Sequence, residues 1–199
     1  NIIVGARNKA NTENGPIQFS SGSGMTPEVM AIVMLLAGPD GDPIQTFEEK
    51  IVWVKGMKGS ERRLAFIRGD LNATRENPAA YKKHVVPMIE KGDAYTWFHH
   101  GLLNVDTGAH DVDPNFTEPT FEALYESMHG VAPSGNFYDA YKLVKSWRDA
   151  LQKAFWVNAG NPNKDKLVDA LNKMIQDPES IAAIEKKVGK YEWRTGDEG

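Results

Sequence analysis

From residue 17 to residue 74 the chain alternates between two hydrophobic periodicities, and that alternation constrains its fold more than any other feature. The short apolar runs "IQFS" (17–20), "KIVWV" (50–54) and "DLNAT" (70–74) read as strands. Between them lie an almost unbroken apolar helix pattern from Pro27 to Ala37 and a shorter helix from Ser60 to Arg68 that Gly69 stops. "GPDGDP" (38–43) ends the first helix and opens a loop. The order β-α-β-α-β predicts an α/β fold with a mainly parallel sheet flanked by helices. The continuous apolar content of 27–37 predicts a helix buried on most sides.

The remaining segments continue this organisation. "IIVGAR" (2–7) predicts a strand, followed by a polar, turn-rich linker to residue 16. Residues 77–93 predict a helix with Pro78 near its start and Gly92 as its stop; Pro87 inside it predicts a kink or a shortened last turn. "AYTWFHH" (94–100) reads as a strand, 101–119 as loop and 120–130 as a short helix. Residues 136–151 form an amphipathic pattern with Phe137, Tyr141, Val144 and Trp147 on its apolar face. "KAFWV" (153–157) reads as a strand, then come two helices each led in by a proline, and "KYEWRTG" (190–196) as a last strand. The expected division is an α/β lobe over 1–157 and a C-terminal helical segment over 158–199.

Charge and composition exclude several functions. The net charge is −4, from 23 basic and 27 acidic residues, which argues against a nucleic-acid partner. There is no cysteine, so disulfides, thiolate metal sites and cysteine nucleophiles are excluded. No apolar run approaches the ~20 residues of a membrane span. The opening "NIIVGARNKANTENG" carries neither a signal-peptide pattern nor an initiator Met, which reads as a processed chain or a fragment.

The stretch "FSSGSGMTPEV" (19–29) is the candidate site. Phe19 ends a strand, and Gly22 and Gly24 permit positive φ and remove side-chain bulk. Thr26 suits the N-cap and Pro27 the first helical position. The helix start then presents free N–H groups and partial positive charge, and with the Ser21 and Ser23 hydroxyls it forms a cradle for a carboxylate or phosphate.

The order of segments resembles the tripartite tricarboxylate transporter substrate-binding receptors, the periplasmic solute-binding family also called Bug proteins. "FSSGSGMTPEV" is similar to that family's strand, glycine turn and helix. "VKGMKGSERRLAFIRGDLNA" resembles its Lys-Gly turn, short helix and next strand, with Asn72 where the family often has Asp. "VVPMIEKGD", "EPTFEALYESMHG" and the run from "FWVNAGNPNKDK" to "IEKKVG" resemble its later segments. The resemblance covers the second lobe and the return segment, without a counterpart of the first lobe.

The resemblance implies a periplasmic-binding-protein-like lobe of type II with a C-terminal helix pair. It implies capture of a small di- or tricarboxylate, delivery to membrane permease subunits, periplasmic localisation, no chemistry and no cofactor. Carried onto this sequence, the ligand-binding residues are Ser21, Gly22, Ser23, Gly24, Met25 and Thr26 in the turn, with Thr74 and Arg75 at the strand end. Arg75 suits a carboxylate through bidentate pairing. A missing N-terminal lobe or a second chain is the expected further partner. The alternative expectation is a truncated paralogue or fragment that acts as an interaction module without transport.

Other residue clusters point to less. His99, His100, His110, Asp106, Asp111 and Asp113 match no zinc spacing, adjacent strand histidines face opposite ways, and a solvated loop is expected there. "SGSG" is not a nucleophile elbow, because Ser21 holds the outer glycine position. The pairs Arg62–Arg63, Lys82–Lys83 and Lys186–Lys187 read as solvated helix faces, and the five tryptophans as core, with a cleft wall the alternative for one or two of them.

Overall fold

The computed structural model describes residues 3–6, 16–22, 24–104, 107, 109–113, 116–151, 155, 157–188 and 193. The chain divides into two compact units, residues 1–152 and 153–199.

The first unit is mixed α/β. Strands β2 (Ile17–Ser21) and β3 (Ile51–Lys55) pair in parallel, with Ile17 opposite Ile51 and Ser21 opposite Lys55. A second sheet has the order β4-β1-β5, where β1 is Ile3–Ala6, β4 is Ala73–Glu76 and β5 is Tyr95–His99. Here β1 runs antiparallel to both neighbours, and Ile3 pairs with Glu76 on one side and His99 on the other. The expectation of a mainly parallel sheet is therefore corrected: among the described strands only β2 and β3 pair in parallel. The reason is chain order. A parallel neighbour needs a crossover connection, and β1 precedes every helix of the β-α-β run, so it is free to insert head-to-tail between β4 and β5. Asn72 ties the start of β4 to the start of β2: its Nδ2 donates to Pro16 O at 2.9 Å, and its Oδ1 accepts from Gln18 N at 2.7 Å.

Helix α1 (Pro27–Ala37) follows β2, and Pro27 through Leu35 are all buried. The side chains of Val29 through Leu35 form the main core with Ile17 and Phe19 of β2, Ile51 of β3, Ala73 of β4, and Trp97 and Phe98 of β5. Gly38, at φ 70°, closes the helix by donating to Met34 O. Next comes α2 (Pro43–Lys50), a helix absent from the sequence expectation, which has a loop there. Its start is built by Asp42, whose Oδ1 accepts from Ile44 N at 2.7 Å and Gln45 N at 3.2 Å, with Pro43 in the first turn. After β3, α3 (Gly59–Arg68) ends at Gly69 in the left-handed conformation.

The predicted helix over 77–93 is three pieces: α4 (Pro78–Ala80), a π-helical stretch Tyr81–Val85, and α5 (Val86–Glu90). The wide turn sits just before Pro87, where the ring has no N–H to give and would clash with an ordinary preceding turn. The predicted loop 101–119 carries a small hairpin, β6 (Leu102–Leu103) against β7 (His110–Asp111). Gly101 is required there: φ is 71°, and a Cβ would lie 2.6 Å from Asp111 O. Helix α6 (Phe121–His129) is capped by Thr120, whose Oγ1 accepts from Ala123 N. Helix α7 (Asn136–Leu151) ends the regular structure of the first unit.

The second unit holds α8 (Lys164–Gln176) and α9 (Pro178–Val188), joined at Asp177, whose Oδ2 accepts from Ser180 N at 3.0 Å. Phe155 and Val157 are exposed and in no strand, so the strand expected over 153–157 is not formed at these two; residues 153, 154 and 156 lie outside the described residues. Trp193 is in no strand, and the rest of 190–196 lies outside them too. Among the described residues no helix is long and apolar enough to cross a membrane.

Candidate functional site

Strand β2 delivers the glycine turn to the start of α1, as the sequence indicates. Ser21 is the buried last residue of β2, and its carbonyl accepts from Trp53 Nε1 at 3.4 Å. Ser23 lies outside the described residues. Neither Gly22 nor Gly24 uses its freedom of positive φ. Gly22 is exposed, and a Cβ there would meet nothing within 4 Å among the described residues beyond its chain neighbours. Gly24 packs beside Phe47 and Trp53, each 3.5 Å from where its Cβ would stand. Met25 is half-buried against the core. Thr26 takes the extended N-cap conformation (φ −81°, ψ 159°), but its side chain accepts no capping hydrogen bond.

The strand-end residues lie inside β4. Thr74 is buried, and its hydroxyl has no hydrogen-bond partner among the described residues. Arg75 reaches the first turn of α1, where its Nη1 stands 3.4 Å from Glu28 Oε1. Arg148, from α7, places its own Nη1 2.6 Å from the same oxygen. Glu28 is fully buried. Burial by itself would raise the pKa of Glu28. Arg75 and then Arg148 oppose that, helped by the nearby Thr26 hydroxyl and the helix backbone, and together they hold the carboxyl below its usual range. The cradle expected for a ligand carboxylate thus already holds a carboxylate of the chain's own.

More arginine lies alongside. Arg62 is buried and donates through Nη2 to Arg75 O at 3.3 Å. Arg63 grips Glu76 with two parallel bonds, Nε to Oε1 at 2.9 Å and Nη2 to Oε2 at 3.0 Å. The pair Arg62–Arg63 is therefore not a solvated helix face. One member is interior and the other is spent on a buried carboxylate.

Helix α7 departs most from expectation. Tyr141 is on the inner face, as predicted, but one turn on the buried residue is Lys145, and Trp147 is 69% exposed. Lys145 Nζ donates to Asp149 Oδ2 at 2.9 Å. This corrects the apolar face ending in Trp147 and takes that tryptophan out of the core. The C-terminal half of α7 is turned inside out, with Lys145, Arg148 and Asp149 facing protein and Leu143 and Trp147 facing outward.

The histidines are interior as well, correcting their reading as a solvated loop. His99 stacks against Phe116, and its Nδ1 accepts from Gly101 N at 3.0 Å, which fixes a neutral ring with its proton on Nε2. His100 is fully buried and shares a 2.8 Å hydrogen bond with the Tyr141 hydroxyl. Burial, then Lys145 and Arg148, push His100 well below the ordinary imidazole range. His110, with Nε2 3.9 Å from Asp149 Oδ2, is lowered to about 4, chiefly by burial and then by Lys145. Asp106 lies outside the described residues, and among those described no three His, Asp or Glu side chains are placed to hold a metal ion.

A depression of ≈ 430 Å³ lies at the opposite end of α1, lined by residues including Met34, Gly38, Pro39, Tyr125 and Phe137. None of the predicted ligand residues lines it. Compared with protein-family models, with curated proteins and with solved structures, the chain matches none.

Proposed function

We propose that this chain is a solute-binding lobe that captures a small carboxylate, performs no chemistry on it, and hands it to the permease subunits of a tripartite tricarboxylate-type transporter in the periplasm. The observation that carries the reading is the convergence of Arg75 and Arg148 on the first turn of α1, the helix that follows β2 and its glycine turn in the chain. A helix start and two guanidiniums make a place where anions are favoured. The inserted antiparallel β1 supports a type II periplasmic-binding-protein-like lobe, because a segment arriving from another lobe would join the sheet in this manner.

The test is calorimetric titration of the folded chain with a panel of di- and tricarboxylates. Gly22→Val is the informative variant. Among the described residues beyond its chain neighbours, a Cβ at Gly22 meets no atom within 4 Å, so the added side chain obstructs what approaches from outside. Binding that survives Gly22→Val places the ligand elsewhere, and the absence of heat at millimolar ligand removes the reading.

A second reading, an interaction module without a transport role, is favoured by one feature. Leu143 and Trp147, one helical turn apart on α7, are 72% and 69% exposed. An adjacent pair of large apolar side chains on one helix face suits a protein contact better than water. Sedimentation discriminates: a monomer at high concentration that binds carboxylates favours the first reading, and self-association lost in Trp147→Lys favours the second.

A further inference from the structure

The charges around the first turn of α1 do not cancel. Arg148 and Arg75 share Glu28 Oε1 at 2.6 and 3.4 Å. Arg62 is 7% exposed, bonds to the Arg75 carbonyl and lies within electrostatic reach of both Arg75 and Glu28. The neighbouring charges are already matched, Arg63 by Glu76 and Lys145 by Asp149. Arg62 is also within electrostatic reach of Arg63 and Glu76, so four guanidiniums (Arg62, Arg63, Arg75 and Arg148) face two carboxylates (Glu28 and Glu76), an excess of two positive charges. The same groups carry unspent donors: Arg62 Nε, Arg75 Nε, and Arg148 Nε and Nη2 are buried without a hydrogen-bond partner among the described residues. Buried cationic donors without partners are costly, and an anion that met them would recover that cost. The side chains of Arg75 and Arg148 remain 26% and 24% exposed, so the cluster is reachable from solvent.

We propose that Glu28 is a built-in countercharge that sets the ligand class of this site to small dicarboxylate dianions. The assignment rests on the carboxylate-binding reading given above. Arg148, at 2.6 Å, stays with Glu28, and the looser Arg75, at 3.4 Å, turns to the ligand together with Arg62. A dianion brings the cluster to neutrality. A trianion puts one surplus negative charge beside buried Glu28, and a monoanion leaves a guanidinium unmatched. Glu28 acts through the arginines as a specificity-determining, positioning residue and makes no bond to the ligand. Its other oxygen, Oε2, takes no full hydrogen bond from the described residues, which keeps the carboxylate dependent on its arginines.

The experiment is calorimetric titration of the full chain with acetate, succinate and citrate at neutral pH, in the wild type and in Glu28→Gln and Arg148→Gln. Wild type is expected to take succinate about tenfold more tightly than either of the others, as one unmatched charge at a buried site would dictate. Glu28→Gln is expected to move the citrate-to-succinate ratio about tenfold toward citrate, and Arg148→Gln to move the succinate-to-acetate ratio about tenfold toward acetate. A purely structural role would weaken all three ligands together and leave the ratios alone. Circular dichroism reports whether each variant folds. If Glu28→Gln does not, the shift or constancy of the ratios in Arg148→Gln decides, and a wild type that prefers citrate overturns the proposal without any variant. If the wild type binds no carboxylate, the functional reading falls and takes this assignment with it. If it binds but the ratios stay fixed in folded variants, only the role of Glu28 falls.

Discussion

Arg148 and Glu28, 120 residues apart in the chain, meet at 2.6 Å and pin α7 to the first turn of α1. Arg75 shares the same carboxylate oxygen from β4. One buried side chain thus joins three elements that are remote in sequence, and losing it costs more than losing either partner. Glu28→Ala, which leaves two guanidiniums facing each other, is expected to destabilise by about 3 kcal/mol, and Arg148→Ala, where Arg75 still serves Glu28, by about 1–2 kcal/mol. Urea denaturation measures both. Equal losses would show that the two arginines do not share the load.

The Lys145–Asp149 pair gives a prediction of opposite signs. Asp149→Ala strands a fully buried ammonium and is expected to cost about 3 kcal/mol. Replacing both partners, Lys145→Met with Asp149→Leu, is expected to be neutral or stabilising, because neither charge then has to be desolvated. A double variant as weak as the single one would mean that other groups depend on the pair. Thermal melting distinguishes the outcomes.

The outward face of α7 is a direct comparison of sequence and structure. If Trp147 were core, Trp147→Ala would cost about 3–5 kcal/mol. At 69% exposed it is expected to cost within about 0.5 kcal/mol, as surface substitutions do. Chemical denaturation of dilute protein reads the difference.

Acid sensitivity follows from the buried histidines. The folded pKa of His110 is about 4, below the ordinary 6.5, and those of His99 and His100 are lowered too, in each case chiefly by burial. Below pH 6.5 the unfolded chain takes up protons that the folded chain refuses, so the contribution of these rings is whole above pH 6.5 and declines as pH falls toward 4. Glu28 adds a second stage: its lowered carboxyl contributes above about pH 4.5, its ordinary value, and that contribution is lost as the pH falls through the lower folded value. Stability measured from pH 8 to 4 should fall continuously from about 6.5 downward, and less steeply in His110→Asn. A flat profile between pH 6.5 and 5 would contradict the interior placing of these rings.

Local rules made much of the fold legible. The apolar run of α1, bounded by Thr26-Pro27 and Gly38, needed no tertiary information, and its bounds were read as they stand. Helix α2 was missed because "GPDGDP" stops one helix and starts the next: Asp42 and Pro43 are N-cap and first-turn residues as well as loop formers. The charged interior was harder. Pattern reading turns Lys145, Arg148 and Asp149 outward because an isolated charge is costly inside, and here each is inside because another charge meets it. Glu28 did carry a signal. A helix apolar on every side has no solvated face, so a carboxylate within it must be paired, although only the folded chain names Arg75 and Arg148 as the partners. The antiparallel β1 was beyond the β-α-β rule, which governs strands joined by helices and is silent on one that precedes them.

That strand also orders the birth of the fold. Ile3 leaves the ribosome well before the two residues it pairs with, yet it sits between Glu76 and His99. Synthesis proceeds from the N-terminus, so β1 must wait for both neighbours to emerge while β2, α1 and β3 can already assemble around Phe19. Closing so large a loop is paid for before the pairing returns anything, which makes docking of β1 a late and slow step. Until then β4 and β5 present bare edges to each other and to other nascent chains. The centre of the sheet is therefore the last part to be completed and the part most dependent on unhurried translation.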